Sequence, residues 1–476
     1  MTTELVHQDA TKLAELIRTK EVSPVEVMQA HLDRIEATNP HINAIVAISD
    51  DALKAAKRAE AVVMAGHELG PLHGVPFTAK DSFDVAGVLT QLGSPIFKGR
   101  VPDTDATGIA RMKKAGGILL AKTNLPEFSF WIESDNLLSG RTVNPWNRDR
   151  TPGGSSGGES AAVAAGMSPL GLATDIAISV RGPAALTGVV GLKATHGRIP
   201  MTGVWPRVPR RFWHAGPIAR SVRDVALAYS LIAGPDGADG FSISPLSVDT
   251  GVGVTLGRPL RVGWLVEPGF GLVEDQVAAT VQAAAEALKS TGVTVEPVRI
   301  PVLEQINALD VLWKIQAMET KPAFREVTAG HEDLIYKHVQ AVFDTPDTSI
   351  EDFVIAEQQI EQMRDGFAQY FQRYDALLCP VLPVASHGHD ASEFVINGQT
   401  VSSLHVMDAT AQLNVTGLPG LSLRFGTSSD GMPIGVQLVA PWLAESTLLH
   451  LGALLESMSP VRNLHPTLAN MGITQP

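Results

Sequence analysis

The sequence predicts an α/β fold in which a mixed β-sheet is covered by helices on both faces. The first observation is the pattern of residues 260–302, which is typical of a strand, a helix and a second strand joined as a parallel crossover unit. Secondly, short apolar segments bounded by glycine, such as residues 117–123, indicate buried strands. Amphipathic segments lie between these strands, which favours alternating elements around one core.

The composition and net charge of the chain exclude several classes of protein. The chain has 476 residues, of which 45 % are hydrophobic and 18 % are charged, so it can bury a sizeable core. A formal net charge of −13 argues against nucleic acid or an anionic membrane as the main partner. A single cysteine, Cys379, excludes an intrachain disulfide and a multi-cysteine metal site. No apolar stretch reaches the roughly 18–20 residues of a membrane span, and the N-terminus lacks an apolar signal core, so we expect a cytoplasmic protein.

The first half of the chain alternates helices with short strands. Residues 9–37 predict two amphipathic helices, and the second begins with Ser23 as its N-cap and Pro24 at its first position. Residues 50–66 predict a third helix, and the glycine-bounded residues 70–87 predict a strand and a loop. Residues 107–128 then indicate a helix that ends at glycine before a buried strand.

The second half of the chain also predicts both helices and strands. Residues 303–373 are almost entirely helical in pattern, and two apolar segments near Cys379 and Leu421 predict strands. Asp430-Gly431 lies between two apolar runs and is typical of a hairpin turn. We expect one domain over residues 1–476. Its predicted segments are N-terminal helices at 9–65, a core at 70–220, the strand–helix–strand unit at 260–302, a helical region at 303–373 and a C-terminal core at 374–460.

The segment TPGGSSGGES, residues 151–160, combines many glycines with two adjacent hydroxyls. Glycine loses more backbone freedom on folding than any other residue, so such a run needs a reason. A phosphate-binding loop requires lysine directly after its last glycine, whereas Glu159 stands there and would repel phosphate.

Two other interpretations explain only some features of this segment. Residues 153–157 match the G-x-S-x-G pattern of esterases, but that serine follows a buried strand, and residues 141–152 are polar and contain proline. A purely structural turn would explain the glycines but leaves the two hydroxyls unexplained.

The surrounding segments carry a resemblance to a known family. GVPFTAKDSF at 74–83, TPGGSSGGESAAVAAG at 151–166, TDIAISVRGPAALTGVVGLKATHGRIP at 174–200 and NVTGLPGLSL at 414–423 resemble the segments of the amidase signature family, in its order. The resemblance is strong over roughly residues 70–220 and weaker over 375–445. It extends to members that hydrolyse aryl amides, nylon oligomers and urethanes, and it implies the amidase signature fold.

The resemblance implies a catalytic triad of Lys80, Ser155 and Ser179, with Ser155 following a cis peptide bond. A serine hydroxyl is a weak nucleophile at neutral pH and needs a base, and no histidine lies in a matching motif. Lysine acts as a base only when it is neutral, so burial must lower its pKa from about 10.4. Ser155 would relay a proton from Ser179 to Lys80.

The turn before the nucleophile departs from the family pattern. We expect the backbone N–H groups of Ile176, Ala177, Ile178 and Ser179 to stabilise the oxyanion of the substrate. The family usually has two glycines where this chain has Ala177 and Ile178. We expect the change to reshape the pocket toward a different acyl group, with loss of activity as the alternative.

Further residues are predicted to support the site. Asn124 matches a family position near the substrate, with a loop cap as the alternative, and Gly154 is also expected to bind substrate. Asp175 and Arg181 are expected to form a structural ion pair that fixes the turn. The remaining candidates are aromatic residues expected to line an apolar pocket, with core packing as the alternative: Trp131, Trp205, Phe212 and Trp213.

These observations predict an enzyme that hydrolyses a C–N bond in a small neutral amide, an anilide or a carbamate through an acyl-enzyme, without a cofactor or a metal. The family-level expectation for its assembly is a homodimer. Three alternatives remain: the glutaminase subunit of a tRNA-dependent amidotransferase, a non-catalytic amide-binding relative, and an unrelated α/β protein with a glycine-rich turn.

Overall fold

The computed structural model describes residues 5–244 and 258–473 and contains one large sheet flanked by helices. The helices are α1 (Ala10–Arg18), α2 (Pro24–Ile42), α3 (Ala52–Met64), α4 (Thr107–Lys114), α5 (Gly157–Ala164), α6 (Arg181–Thr187), α7 (Val222–Ile232), α8 (Asp275–Ser290), α9 (Val302–Gln305), α10 (Ala308–Thr328), α11 (Lys337–Asp344), α12 (Ile350–Phe371), α13 (Asp408–Thr416) and α14 (Glu445–Met458). The strands are β1 (Ile45–Ile48), β2 (Pro76–Lys80), β3 (Ile118–Thr123), β4 (Leu170–Asp175), β5 (Val190–Lys193), β6 (His214–Ala219), β7 (Arg261–Trp264), β8 (Thr294–Pro297), β9 (Ala376–Pro380), β10 (Glu393–Ile396), β11 (Gln399–Ser402), β12 (Gly420–Thr427) and β13 (Pro433–Val439).

The large sheet has 11 strands in the order β1-β3-β2-β4-β6-β5-β12-β13-β9-β7-β8. Strand β2 lies parallel to both β3 and β4, whereas β4 and β6 are antiparallel, so the sheet is mixed. Strands β7 and β8 are parallel and are joined through α8, which confirms the crossover unit predicted for residues 260–302. Strands β10 and β11 form a separate hairpin. The α/β prediction with a mixed, helix-flanked sheet is therefore confirmed.

Local signals in the sequence fix several element boundaries. The Ser23 hydroxyl accepts a hydrogen bond from the Glu26 amide at 3.1 Å, and the Ser23 amide donates to the Glu26 carboxylate at 2.8 Å. This reciprocal pair is a capping box, and Pro24 begins α2 as predicted. At the predicted hairpin turn between β12 and β13, Gly431 has φ +84°, which suits glycine.

Two elements next to the candidate segments are not predicted by pattern alone. Strand β6 contains glycine and proline, two residues that weaken strands, and it forms because β4 and β5 pair with it on either side. Helix α6 has only seven residues and begins two positions after Ser179. Periodicity is a weak signal over such short lengths.

The fold gathers the candidate segments at one edge of the sheet. Strand β2 ends at Lys80 and its parallel neighbour β4 ends at Asp175, so both residues lie at carboxyl ends of adjacent strands. The glycine-serine loop passes close to neighbouring backbone: a Cβ at Gly154 would lie 2.4 Å from the Glu133 amide nitrogen, and one at Gly158 would lie 2.4 Å from the Asn124 carbonyl oxygen. Close backbone approach therefore explains these two glycines.

Within residues 5–244 and 258–473, no helix has the length and apolar character that crossing a bilayer requires.

Candidate active site

A fully buried lysine stands at the centre of the predicted site. Lys80 Nζ donates hydrogen bonds to Ser155 Oγ at 2.6 Å and to Thr174 Oγ1 at 2.8 Å. Burial lowers the pKa of the Lys80 ammonium well below its ordinary value, and the nearby carboxylates of Asp175 and Glu159 oppose this shift only in part. The peptide bond between Gly154 and Ser155 is cis. The structure thus joins Lys80 and Ser155 through a short contact inside the protein.

Ser179 lies in the bend that follows β4 and lines a small apolar cavity. In the part of the chain that the structure describes, its hydroxyl makes no hydrogen bond to a protein group, and none joins it to Ser155 Oγ. Of the two hydrogen bonds that the predicted relay needs, the one between Lys80 and Ser155 is present. The one between Ser155 and Ser179 is not formed in this structure. Ser179 thus lines the cavity with a hydroxyl that no described residue bonds.

The bend that carries Ser179 presents four adjacent backbone donors. None of the N–H groups of Ile176, Ala177, Ile178 and Ser179 has an acceptor among residues 5–244 and 258–473. All four residues line the same cavity. The next amide, Val180 N–H, is already bonded to Asp175 Oδ2 at 3.1 Å. Unpaired N–H groups at a buried position are costly unless a ligand or water meets them, so this bend is suited to an oxygen with negative charge.

A buried ion pair fixes the shape of the bend. Arg181 Nε and Nη2 donate to the two carboxylate oxygens of Asp175, each at 3.0 Å, and both side chains are fully buried. Arg181 Nη2 also donates to the Ala177 carbonyl at 3.2 Å and to Asn414 Oδ1 at 2.6 Å. Its Nη1 binds the Thr410 carbonyl and Gln437 Oε1, each at 3.0 Å. Every Arg181 nitrogen is thus occupied by protein groups, which supports the structural interpretation of this pair.

Arg181→Met should strongly destabilise the protein. It would leave the Asp175 carboxylate buried without its partner, which costs about 3–5 kcal/mol in comparable pairs. Arg364→Met is the matched control, because Arg364 pairs with Glu361 at the surface at 2.8 Å and such pairs contribute about 0–1 kcal/mol. The free energy of unfolding of both variants, measured with denaturant, checks the prediction. A loss in Arg181→Met no larger than in Arg364→Met would contradict it.

The cavity next to Ser179 is walled by aromatic and aliphatic side chains. Trp131 belongs to it and stacks on His338, with ring centroids 4.4 Å apart. Among the described residues that line it there is no charged side chain, and Gln316 is the largest polar group. The lining residues outside the 176–179 bend are Ser129, Phe130, Trp131, Ile132, Leu312, Trp313, Gln316, Leu404 and Met407.

The structure places three of the four predicted pocket aromatics elsewhere. Trp205 packs in an aromatic cluster with Phe128, at 4.8 Å between ring centroids. Phe212 and Trp213 are buried in the core, and Trp213 Nε1 donates to the Val208 carbonyl at 2.9 Å. None of the three lines the cavity beside Ser179. Their closeness in sequence reflects core packing, which was the alternative interpretation.

Asn124 and Gly154 hold the loops of the site and do not line this cavity. The side-chain nitrogen of Asn124, Nδ2, donates to the Gly140 carbonyl and to Thr142 Oγ1, each at 3.0 Å. Its side-chain oxygen, Oδ1, accepts from the Leu125 backbone amide and from Asn136 Nδ2. The side chain of Asn124 therefore acts as the loop cap that was its alternative interpretation.

Two buried polar residues near Lys80 were missed by sequence reasoning. Thr174 accepts a hydrogen bond from Lys80, and Glu159 bonds the hydroxyls of Thr78 and Thr123 on β2 and β3. Burial raises the pKa of Glu159 to about 7. The only signal for Glu159 is its position directly after the glycine-serine run. Thr174 carries no pattern that separates it from any other strand residue.

Comparison with known proteins identifies the family. The sequence profile described as Amidase matches residues 26–449. The chain belongs to the amidase family. It is similar to an acylamidase from Rhodococcus erythropolis, with 33% identity over 495 residues that cover 98% of each chain. The resemblance inferred from the sequence is therefore confirmed, and this amidase is an amide-hydrolysing enzyme.

Other relatives carry different activities. A glutamyl-tRNA(Gln) amidotransferase subunit from Acidothermus cellulolyticus is 33% identical over 486 residues, which cover 95% of each chain. A structure of 6-aminohexanoate cyclic dimer hydrolase complexed with substrate superposes with a TM-score of 0.86 at 31% identity, covering 97% of this amidase and 99% of that chain. The relatives of this chain thus include both hydrolases and an amidotransferase subunit.

Proposed function

We propose that this amidase hydrolyses small neutral amides through an acyl-enzyme on Ser179, with Lys80 as the base and Ser155 as the relay. The observation that carries the proposal is the contact of 2.6 Å between the buried Lys80 amine and Ser155 Oγ. Ser179, whose hydroxyl is hydrogen-bonded to no described residue, lines an apolar cavity. A buried amine with a lowered pKa is neutral at a lower pH than an exposed one, so it can accept a proton.

The first step forms the acyl-enzyme. Ser179 Oγ attacks the substrate carbonyl carbon while its proton passes to Ser155, whose own proton passes to Lys80. The carbonyl oxygen becomes an oxyanion, and the four unpaired N–H groups of residues 176–179 stabilise it. Lys80 then returns its proton through Ser155 to the leaving nitrogen, and the C–N bond breaks. The relay closes when Ser179 and Ser155 come into hydrogen-bonding contact in the complex with substrate.

Water completes the cycle by the same route. Its oxygen attacks the acyl carbon while its proton passes through Ser155 to Lys80. The second tetrahedral intermediate collapses, Ser179 recovers its proton, and the acid leaves. Each half-reaction therefore uses the lysine once as a base and once as an acid.

The composition of the cavity favours a neutral acyl group. The aromatic and aliphatic walls suit an apolar substituent, and within the described lining no charged side chain is available. Glutamine carries an ammonium and a carboxylate that would need charged partners in such a site. This argues against the glutaminase activity of an amidotransferase subunit, although such subunits are among the relatives of this chain.

A substrate panel tests the proposal. We expect the purified chain, without partner subunits, to hydrolyse acyl p-nitroanilides and simple free amides but to leave L-glutamine unchanged. Carbamates with the same aryl leaving groups and p-nitrophenyl esters measure the preference for the leaving atom. Release of ammonia from glutamine, without turnover of any anilide or free amide, would overturn the proposal in favour of the amidotransferase role.

A further inference from the structure

Ile178 and Gly182 form a complementary pair beside the candidate nucleophile. A Cβ at Gly182 would lie 2.5 Å from Ile178 Cγ1 and 2.8 Å from Ile178 Cδ1, which is closer than non-bonded carbon atoms approach one another. Gly182 is the second residue of α6, and its amide donates to the Ile178 carbonyl at 2.7 Å. The missing side chain at position 182 thus provides the space that the isoleucine side chain occupies.

This pair fixes one wall of the cavity. Ile178 is almost completely buried and lines the cavity beside Ser179. Its branched β-carbon limits the side chain to few rotamers, and the gap over Gly182 holds the one observed. The free volume of the cavity is about 30 Å³, which is roughly twice what one water molecule needs. An acyl substituent that enters here shares this small space with the isoleucine side chain.

We infer that Ile178, seated on Gly182, is the residue that limits the length of the acyl group and selects substrates with short, unbranched acyl chains. This inference rests on the proposed acyl-enzyme at Ser179. In that mechanism the leaving nitrogen lies near Ser155, which returns its proton. The cavity is lined by Ser179 but not by Ser155 or Lys80, so it receives the acyl side of the substrate.

The isoleucine occupies a position where the family usually has glycine. Although position 178 carries a side chain, its N–H group has no acceptor among the described residues, and the bend is held through the Ala177 carbonyl by Arg181 and through the Ile178 carbonyl by the Gly182 amide. The side chain can therefore change the size of the acyl pocket without removing an oxyanion donor. Ile178 is thus a specificity-determining residue.

The experiment compares Ile178→Val and Ile178→Ala with the wild type on a series of p-nitroanilides with acetyl, butyryl and hexanoyl groups. We expect the ratio of kcat/KM for hexanoyl over acetyl to rise about tenfold in Ile178→Ala and by less in Ile178→Val, because methylene groups in an apolar pocket carry discrimination of this size. A second series holds the acetyl group constant and enlarges the anilide ring. Its ratios should stay the same.

Gly182→Ala supplies the reciprocal test. Its added methyl group displaces Ile178 into the cavity, so the butyryl-to-acetyl ratio should fall. The double variant Ile178→Ala/Gly182→Ala should return close to the Ile178→Ala ratio. Thermal melting provides a readout that needs no turnover: Gly182→Ala should lower Tm in the wild-type background and not in the Ile178→Ala background.

The outcomes separate the two proposals. If the wild type hydrolyses neither acyl anilides nor free amides, the proposed function fails. If the wild type is active but acyl-chain ratios stay unchanged in both Ile178 variants, the inference about Ile178 is overturned. A change confined to the leaving-group series would also overturn it, as would equal Tm losses from Gly182→Ala in both backgrounds.

Discussion

Ser179→Ala is expected to lower kcat for acyl p-nitroanilides by a factor of about 10⁴ to 10⁶, the range seen when the nucleophile of a serine hydrolase is removed. Alanine cannot form the acyl-enzyme, and the four N–H donors and the apolar cavity would then bind substrate without a covalent step. The KM value should change little, because the lost interaction is made only in the transition state. The initial rate of p-nitroaniline release measures the effect.

Ser160→Ala is the matched control for this prediction. Ser160 is buried like Ser179, and among the described residues its hydroxyl bonds only the Gly157 carbonyl of its own helix, at 3.2 Å. Its variant should retain most of the activity. Turnover above about a tenth of the wild-type rate in Ser179→Ala, with product release confirmed as enzymatic, would exclude this serine as the nucleophile.

The second large effect concerns the lysine. Lys80→Met should lower kcat by a factor of about 10² to 10⁴, because a thioether cannot accept the proton that leaves Ser179. Folding should not suffer in proportion, since the variant removes an amine that is costly to bury. Burial holds the folded pKa of Lys80 below its unfolded value, so the lysine destabilises the folded state at pH values below its unfolded pKa. Below that value the variant should equal or exceed the wild type in Tm.

Lys193→Met separates catalysis from burial. Lys193 is also fully buried with a pKa well below its ordinary value, because of burial first and Arg181 second, but its Nζ bonds the Leu418 carbonyl at 2.6 Å. We expect this variant to keep most of the activity. In the wild type, kcat/KM should rise as the pH rises through the pKa of Lys80, because only the neutral amine can accept a proton. Comparable losses in both lysine variants would contradict a specific role for Lys80.

Sequence reasoning located residues that belong to short contiguous motifs. Lys80 and Ser155 lie in separate segments whose resemblance to the amidase signature family implies one site, and the structure brings their polar atoms to 2.6 Å. The capping box at Ser23 is equally local, since it needs only residues three positions apart. Such signals are readable because the residues that determine them are neighbours in the chain.

Residues that depend on long-range packing were not predictable in the same way. The cavity takes Trp313 from α10 and Met407 from a 3₁₀ turn near α13, segments far from the motifs in sequence. Asn414 binds Asp175 at 2.9 Å across 239 positions. Trp205 and Trp213, by contrast, were both predicted to line the pocket because they are close in sequence. Neither side chain lines the cavity. The separation of residues along the chain therefore does not predict which side chains line the same cavity.

The most direct test of the central claim is to measure how fast a fluorophosphonate modifies this amidase at several pH values and to identify the modified residue by peptide mass spectrometry. We predict one adduct, on Ser179, which forms faster as the pH rises in the wild type and forms slowly at every pH in Lys80→Met. An adduct on Ser155 or on another residue, or equal rates of modification in the two proteins, would contradict the proposed roles of Ser179 and Lys80.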